Sequence, residues 1–480
     1  DVNTWSKISH SGVVAGTIPG AGDIVIIGAK DSVYLSNEAF PLPNNNNPID
    51  SYYQLNKAAV NCASLRIEAG SCLDVQNNPG CNFGMVLNHS NGNGNFRVTT
   101  RPPTQATFDN PCTFVFPGGD FSEYNINKGT TEFYGINPEI GTIYILPLNA
   151  NSYGTVIISP LNESNIVLPN IPTLTIYGDL ISRGSTWESW LAMTWNSGYG
   201  VIVAKTVAIK GNLLIQGGSL VYMSNADTQQ TIIVDGNVVV NPRAGIDIYG
   251  TSRASKMMIG GDLINNSNDT PAVIAPWAGS RVRFWVNANQ KCDVEFFGSN
   301  NSLITNTGTT PATGSTPYTI FGKLTVNKGT SQATTLTCNI GGFLNKFGAS
   351  PDPVDNWLVL QNGTFIYNRT EDFNISTVTQ FNIPATAGLK IQTPSNVYLA
   401  NSAADNNDLI LSGKLTLVNG NVFIGPSTFP VNNNDIEYTS SGASYIDIQG
   451  GNLVVNGQIR RNSSSAGGIL GYKQSGGNVT

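Results

Sequence analysis

Four aspartates are placed where acid–base chemistry could be built. Asp235, Asp247, Asp408 and Asp447 each lie in or beside short alternating apolar stretches. Glycoside hydrolysis needs two facing carboxylates, roughly 5–9.5 Å apart. Any two of these aspartates would have to reach one face from neighbouring segments. Asp235 precedes Gly236 at an expected turn, and Asp247 alternates outward between Ile246 and Ile248. A solvated strand face is the simpler reading of each. The only histidines are His10 and His89, both near the N-terminus, so a zinc site or a histidine-based triad has little to work with. The chain carries no H-E-x-x-H, no phosphate-binding Walker loop and no G-x-S-x-G. Gly20-x-Gly22 precedes an apolar run instead of following one, which does not suit a dinucleotide turn. No catalytic residue is assigned.

Oxygen-rich runs come next. Asn44–Asn47, Asp405–Asp408 and Asn432–Asp435 could offer a weak Ca²⁺ site, yet none follows the D-x-[DN]-x-[DN]-G spacing, so solvated turns are the expectation. No cofactor is expected. The better candidates for recognition are aromatic. Trp187, Trp190, Trp195 and Tyr199 crowd one short segment, whereas aromatic residues make up 9% of the chain. Trp277 and Trp285, with Arg281, Arg283 and Phe284, form a second cluster. Rings on the flank of a fold can stack on sugars, apolar face to C–H and polar edge to hydroxyl. The alternative is that each insertion folds back and packs its rings on the body.

These candidates interrupt a repeat. Val207-x-Ile209-x-Gly211-Asn212-Leu213 returns as Ile232-x-Val234-x-Gly236-Asn237-Val238 and as Met257-x-Ile259-x-Gly261-Asp262-Leu263, each 25 residues after the last. Alternating apolar residues make a strand with one buried face. The Gly-Asn or Gly-Asp step predicts a tight turn with positive φ at glycine. A unit this short cannot close its own core, so copies must stack. Three strands and three turns fit one circuit, and the fold class expected is all-β, a right-handed parallel β-helix. Both aromatic clusters fall where the rhythm lengthens: Leu174 to Val207 spans 33 residues, and the second cluster follows Leu263.

Composition agrees. Charged residues are 12% of 480, glycine numbers 51, and the net charge is −6. An acidic solenoid argues against nucleic acid or an anionic membrane as partner. No apolar run approaches the roughly 20 residues of a membrane span. The start at Asp1 is what signal-peptide removal would leave. Four of the six cysteines fall within the first 112 residues, either stapled by disulfides or simply small and buried. Residues 1–120 read as an N-terminal cap with irregular first coils, and residues 121–480 as the helix proper. Ile126-Asn127-Lys128-Gly129-Thr130 returns 200 residues later as Val326-Asn327-Lys328-Gly329-Thr330. Later coil pieces end in x-x-Gly turns at Gly363, Gly420 and Gly451. The last residues, Gly/Ser-rich up to Thr480, predict a helix that continues further in the native protein.

Phe321-Gly322-Lys323-Leu324-Thr325-Val326-Asn327-Lys328-Gly329 and the apolar pairs joined by Gly-Asn turns resemble the β-helical repeats of large exported Bacteroidota surface proteins. Trp5…Pro19-x-x-Gly22-Asp23-x-Val25-x-Ile27 is similar to their entry segment. The likeness covers roughly residues 1–30 and 120–480. It implies export by the type 9 secretion system, an extracellular or cell-surface location, and contact with an outer-membrane anchor or the secretion machinery. Some such proteins are gliding adhesins, which implies a stalk or adhesive segment touching polysaccharide or a solid surface. β-Helical polysaccharide lyases and glycoside hydrolases are the enzymatic alternative.

Overall fold

The computed structural model describes residues 19–35, 61–76, 81–88, 94–100, 112–135, 143–160, 164–186, 189–194, 202–223, 228–242, 244–249, 252–267, 282–287, 290–305, 319–339, 357–370, 372–375, 380–400, 407–425, 434–439 and 444–480. Among these residues short strands dominate, and the one helix is Ser122–Ile126. The chain divides into two compact units, Asp1–Ser224 and Asn225–Thr480.

In the first unit, a stack of parallel strands runs through Ser32–Tyr34, Cys72–Gln76, Asn95–Thr100, Thr130–Gly135, Thr155–Ser159, Leu180–Arg183 and Leu213–Met223. A second stack joins Cys112–Thr113, Ile143–Ile145, Asn165–Val167 and Trp190–Ala192 to the far half of Leu213–Met223. A third joins Ser152–Tyr153, Thr173–Ile176 and Lys205–Ile209. Ile24–Ile27, Ser64–Ile67, Asn82–Asn88 and Gly118–Asp120 make a further parallel sheet. The chain thus visits one stack after another and returns one level on. That is a parallel β-helix.

The second unit repeats the plan. Gln230–Val234, Ser252–Ile259, Gln290–Gly298 and Leu324–Lys328 stack in parallel, ending on Leu358–Tyr367. From that long strand the stack continues through Ala387–Ile391, Lys414–Leu417, Ser444–Ile448 and Leu470–Gln474. Beside it lie Phe373–Asn374, Asn396–Leu399, Asn421–Ile424, Asn452–Val455 and Asn478–Val479. A last stack holds Phe381–Ile383, Leu409–Leu411, Ile436–Tyr438 and Ile459–Arg461.

The ladders expected from the repeat are present within each unit. Leu174 and Ile176 stand opposite Val207 and Ile209. Ile232 and Val234 stand opposite Met257 and Ile259, which stand opposite Val294 and Phe296. Every one of these side chains is buried. Full burial of such a side chain contributes about 1.5–3 kcal/mol, and the ladder repeats it at each level. The interval itself is elastic. It is 25 residues from Val234 to Ile259 but 33 from Ile176 to Ile209 and 37 from Ile259 to Phe296.

The glycines of the Gly-Asn and Gly-Asp steps correct one expectation. Gly178, Gly211, Gly236 and Gly261 do not take positive φ; the glycines of the x-x-Gly turns do, with 84° at Gly363, 84° at Gly420 and 74° at Gly451. The Gly-Asx steps need glycine for closeness instead. A Cβ on Gly261 would lie 2.2 Å from Asn237 Oδ1 and 2.8 Å from the Gly236 carbonyl; one on Gly211 would lie 2.3 Å from Asp179 Oδ1. The intruding oxygen is a tie between levels. Asp179 Oδ1 accepts from the Asn212 backbone N–H at 2.6 Å, Asn237 Oδ1 from Asp262 at 2.8 Å, and Asp262 Oδ1 from Leu303 at 2.8 Å. Gly457-Gln458 repeats the arrangement, since Asp435 Oδ1 accepts from the Gln458 N–H at 2.6 Å.

All six cysteines are reduced, five of them buried, so they pack as small residues and staple nothing. Burial pushes the Cys62 and Cys72 thiols up to about 11. Within residues 1–120, expected to be a cap with irregular first coils, Asn82–Asn88 and Asn95–Thr100 are regular parallel strands.

Candidate functional site

The aromatic candidates come first. Trp190 opens the strand Trp190–Ala192, and its ring packs half-buried against Ile143, Ile145, Val167 and Ala192. The ring therefore belongs to a coil strand, paired in parallel with Asn165–Val167 and Leu213–Met223. Trp187, Trp195, Tyr199 and Trp277 lie outside the described residues. Trp285 begins the strand Trp285–Asn287, which turns back antiparallel onto Gln290–Gly298. Its neighbour Phe284 is buried and stacks on Phe321 with ring centroids 5.4 Å apart.

The carboxylates weighed for catalysis stand on different faces with different partners. Asp247 is ion-paired with Arg283, one level on, and burial raises its pKa against the opposing pull of that guanidinium. Asp447 is held by Lys414 at 3.0 Å and by Gln449 at 3.1 Å. Asp235 is exposed. The two Asn/Asp runs do meet. Strand Leu409–Leu411 pairs with Ile436–Tyr438, and the Asp435 backbone N–H donates to Asp408 Oδ1 at 2.8 Å. The Asp435 carboxylate, however, is already held by Arg460 at 2.6 Å, and Arg460 also reaches Glu437 at 2.8 Å. Burial raises the Asp408 pKa. Among the described residues no group of three or more His, Cys, Asp and Glu could hold a metal ion. Asn44–Asn47, His10 and His89 lie outside them.

A charged constellation in the first unit escaped the sequence reading. Arg97 lies between Asp74 and Glu132 of the neighbouring levels, at 3.2 Å and 2.8 Å. The Tyr134 hydroxyl donates to Asp74 at 2.9 Å, and the Arg97 guanidinium sits 4.3 Å from the centre of the Tyr134 ring. Ser159 donates to the other oxygen of Glu132 at 2.9 Å. Burial first, and then the Asp74 charge, push the Tyr134 phenol well up. The members are 23, 35 and 27 residues apart along the chain, so no fixed interval announces them.

The second unit carries a neutral counterpart. Asn396, Asn421, Asn452 and Asn478 each open a strand, and each follows a turn: Ser395, Gly420, Gly451, Gly477. Their amides form a ladder, with Asn421 Nδ2 donating to Asn396 at 2.8 Å, Asn452 to Asn421 at 2.6 Å, and Asn478 to Asn452 at 3.0 Å. Two residues on, Tyr398 and Phe423 stack with ring centroids 5.1 Å apart and planes at 15°. Val397, Val422 and Leu453 alternate inward and are buried, so amides and rings share the outer face. An open groove of about 620 Å³ lies there, lined by Asn421, Phe423, Asn452, Val454, Gln474, Asn478, Val479 and Thr480. The recurring Gly-Asn at the head of each strand was the available signal.

Among the described residues no helix is long and apolar enough to cross a membrane. No family model matches the sequence, and neither a curated protein nor a solved structure matches it.

Proposed function

We propose that this chain is a structural and adhesive segment of an exported bacterial cell-surface protein, acting outside the cell and engaging polysaccharide or a solid surface. The observation that carries the reading is the use of outward polar side chains as ties between levels. Asp247 with Arg283, Asp447 with Lys414, Arg97 with its two carboxylates, and the asparagine ladder all join one coil to the next. Repeated ties of this kind suit a long-lived stack more than a site that must exchange protons with substrate. The resemblance to exported surface proteins points the same way. The test is to incubate the purified chain with acidic and neutral polysaccharides and follow retention and product ends together. Retention without new reducing or unsaturated ends is expected. Steady release of such ends would overturn the reading.

One observation favours a β-helical polysaccharide lyase or hydrolase instead. Asp74, Arg97, Glu132 and Tyr134 bring two carboxylates, a guanidinium and a phenol to one outer face. If product ends appear and Glu132→Gln abolishes them, the enzymatic reading takes over.

A further inference from the structure

We infer that the outer groove of the second unit, along Asn421, Asn452 and Asn478, is a binding site for an extended neutral polysaccharide. The inference rests on the adhesive reading and gives it an address. Three features of the groove select the ligand.

The first is charge. Asn421, Phe423, Asn452, Val454, Gln474, Asn478, Val479 and Thr480 include no ionisable side chain, although carboxylates and cations occupy other outer faces of the same unit. A phosphate, a uronate chain or a basic peptide would find no charged side chain to pair with here. The second is the character of the polar groups. A primary amide has two N–H donors and two acceptor lone pairs. The ladder engages one donor of each of Asn421, Asn452 and Asn478, and one acceptor of each of Asn421 and Asn452. The remaining donors and acceptors recur once per level, about 4.8 Å apart. Hydroxyls, which also donate and accept, are the complementary groups. The third is the apolar wall. Phe423 is held in place by its stacking on Tyr398, and Val454 follows it one level on. Such a wall suits the C–H faces of sugar rings.

An added peptide strand is disfavoured, because the backbones of Asn421–Ile424 and Asn452–Val455 are paired on both sides. What the face offers is side chains, in a row along the stack.

The test uses the whole 480-residue chain. Binding of a soluble neutral glucan, a neutral mannan and polygalacturonate is compared for the parent, Phe423→Ala, Val454→Asp and Val359→Asp. Val359 is a half-buried residue of the Leu358–Tyr367 strand, outside the groove, and serves as the control. Melting curves check that each variant is folded. The expected result is binding of at least one neutral polymer, weakened about tenfold or more by Phe423→Ala and by Val454→Asp but not by Val359→Asp. Neutral-polymer binding that all three folded variants retain would overturn the groove while leaving adhesion intact. Preference for polygalacturonate would overturn the neutral assignment. Absence of binding to every polymer would overturn the groove, and adhesion of the parent to solid surfaces, measured in parallel, then judges the broader reading.

Discussion

Single atoms decide the turns. Replacing Gly261 by alanine drives a methyl to 2.2 Å from Asn237 Oδ1, whereas a Cβ on Gly22 meets nothing within 4 Å. Gly261→Ala should therefore cost about 1–3 kcal/mol and Gly22→Ala almost nothing, measured as the shift in urea midpoint. Buried amines set the pH response. Lys205 donates to the carbonyls of Leu168 at 3.2 Å and Met193 at 2.6 Å, and burial lowers its pKa from 10.5 to about 7. Between those values the unfolded chain binds a proton that the folded chain does not, so stability rises with pH across that window. The penalty is complete below about pH 7. Lys205 should give the first unit on the order of 1 kcal/mol per pH unit between about pH 7.5 and 8.5, above which the raised Cys62 and Cys72 thiols pull the other way. Lys205→Met should flatten that slope, even though it leaves two carbonyls without their donor. Lys328, which donates to Gly260, Phe297 and Ser302 and has its pKa lowered by burial to about 8, should give the second unit a weaker slope of the same sign.

At the scale of the strand, alternation is the controlling fact. Val234 is buried in its ladder while Ile233 faces outward. Val234→Asp would bury a charge with no partner, and hydrogen exchange should show lost protection across Gln230–Val234 and Ser252–Ile259. Ile233→Asp should leave that protection in place. This alternation is what made the strands, the stacking and the ladder residues legible in the sequence, because a buried face imposes period two on any strand. The corners were less legible. The Gly-Asx steps predict positive φ at glycine, but glycine is needed there because of an oxygen more than 20 residues away, Asn237 Oδ1 for Gly261 and Asp179 Oδ1 for Gly211, which local turn chemistry does not reveal. The two copies of Asn-Lys-Gly-Thr are not structurally equivalent. Lys128 is exposed with φ of 60° just after the helix, whereas Lys328 ends a strand with its amine buried. The same four residues serve two structures, since insertions break the register between them. The Asp74–Arg97–Glu132 chain was invisible because its spacing is irregular, 23 residues and then 35.

Each unit is a β-helix whose outer surface is organised by cross-level ties. Uncharged amides and rings concentrate on one face of the second unit, while the first unit carries the Arg97 constellation. The adhesive reading requires two things of the entire chain: it must hold a surface, and it must survive the pull. Both are read in one experiment. The chain is tethered through its C-terminus, a polysaccharide-coated probe is brought to it, and each retraction records the rupture of the contact and any unfolding of coils. The account predicts frequent adhesion events that end in release of the polysaccharide before coils extend, and that free polysaccharide suppresses. Adhesion no more frequent than with a bare probe, or coils that unravel before the contact ruptures, would contradict it.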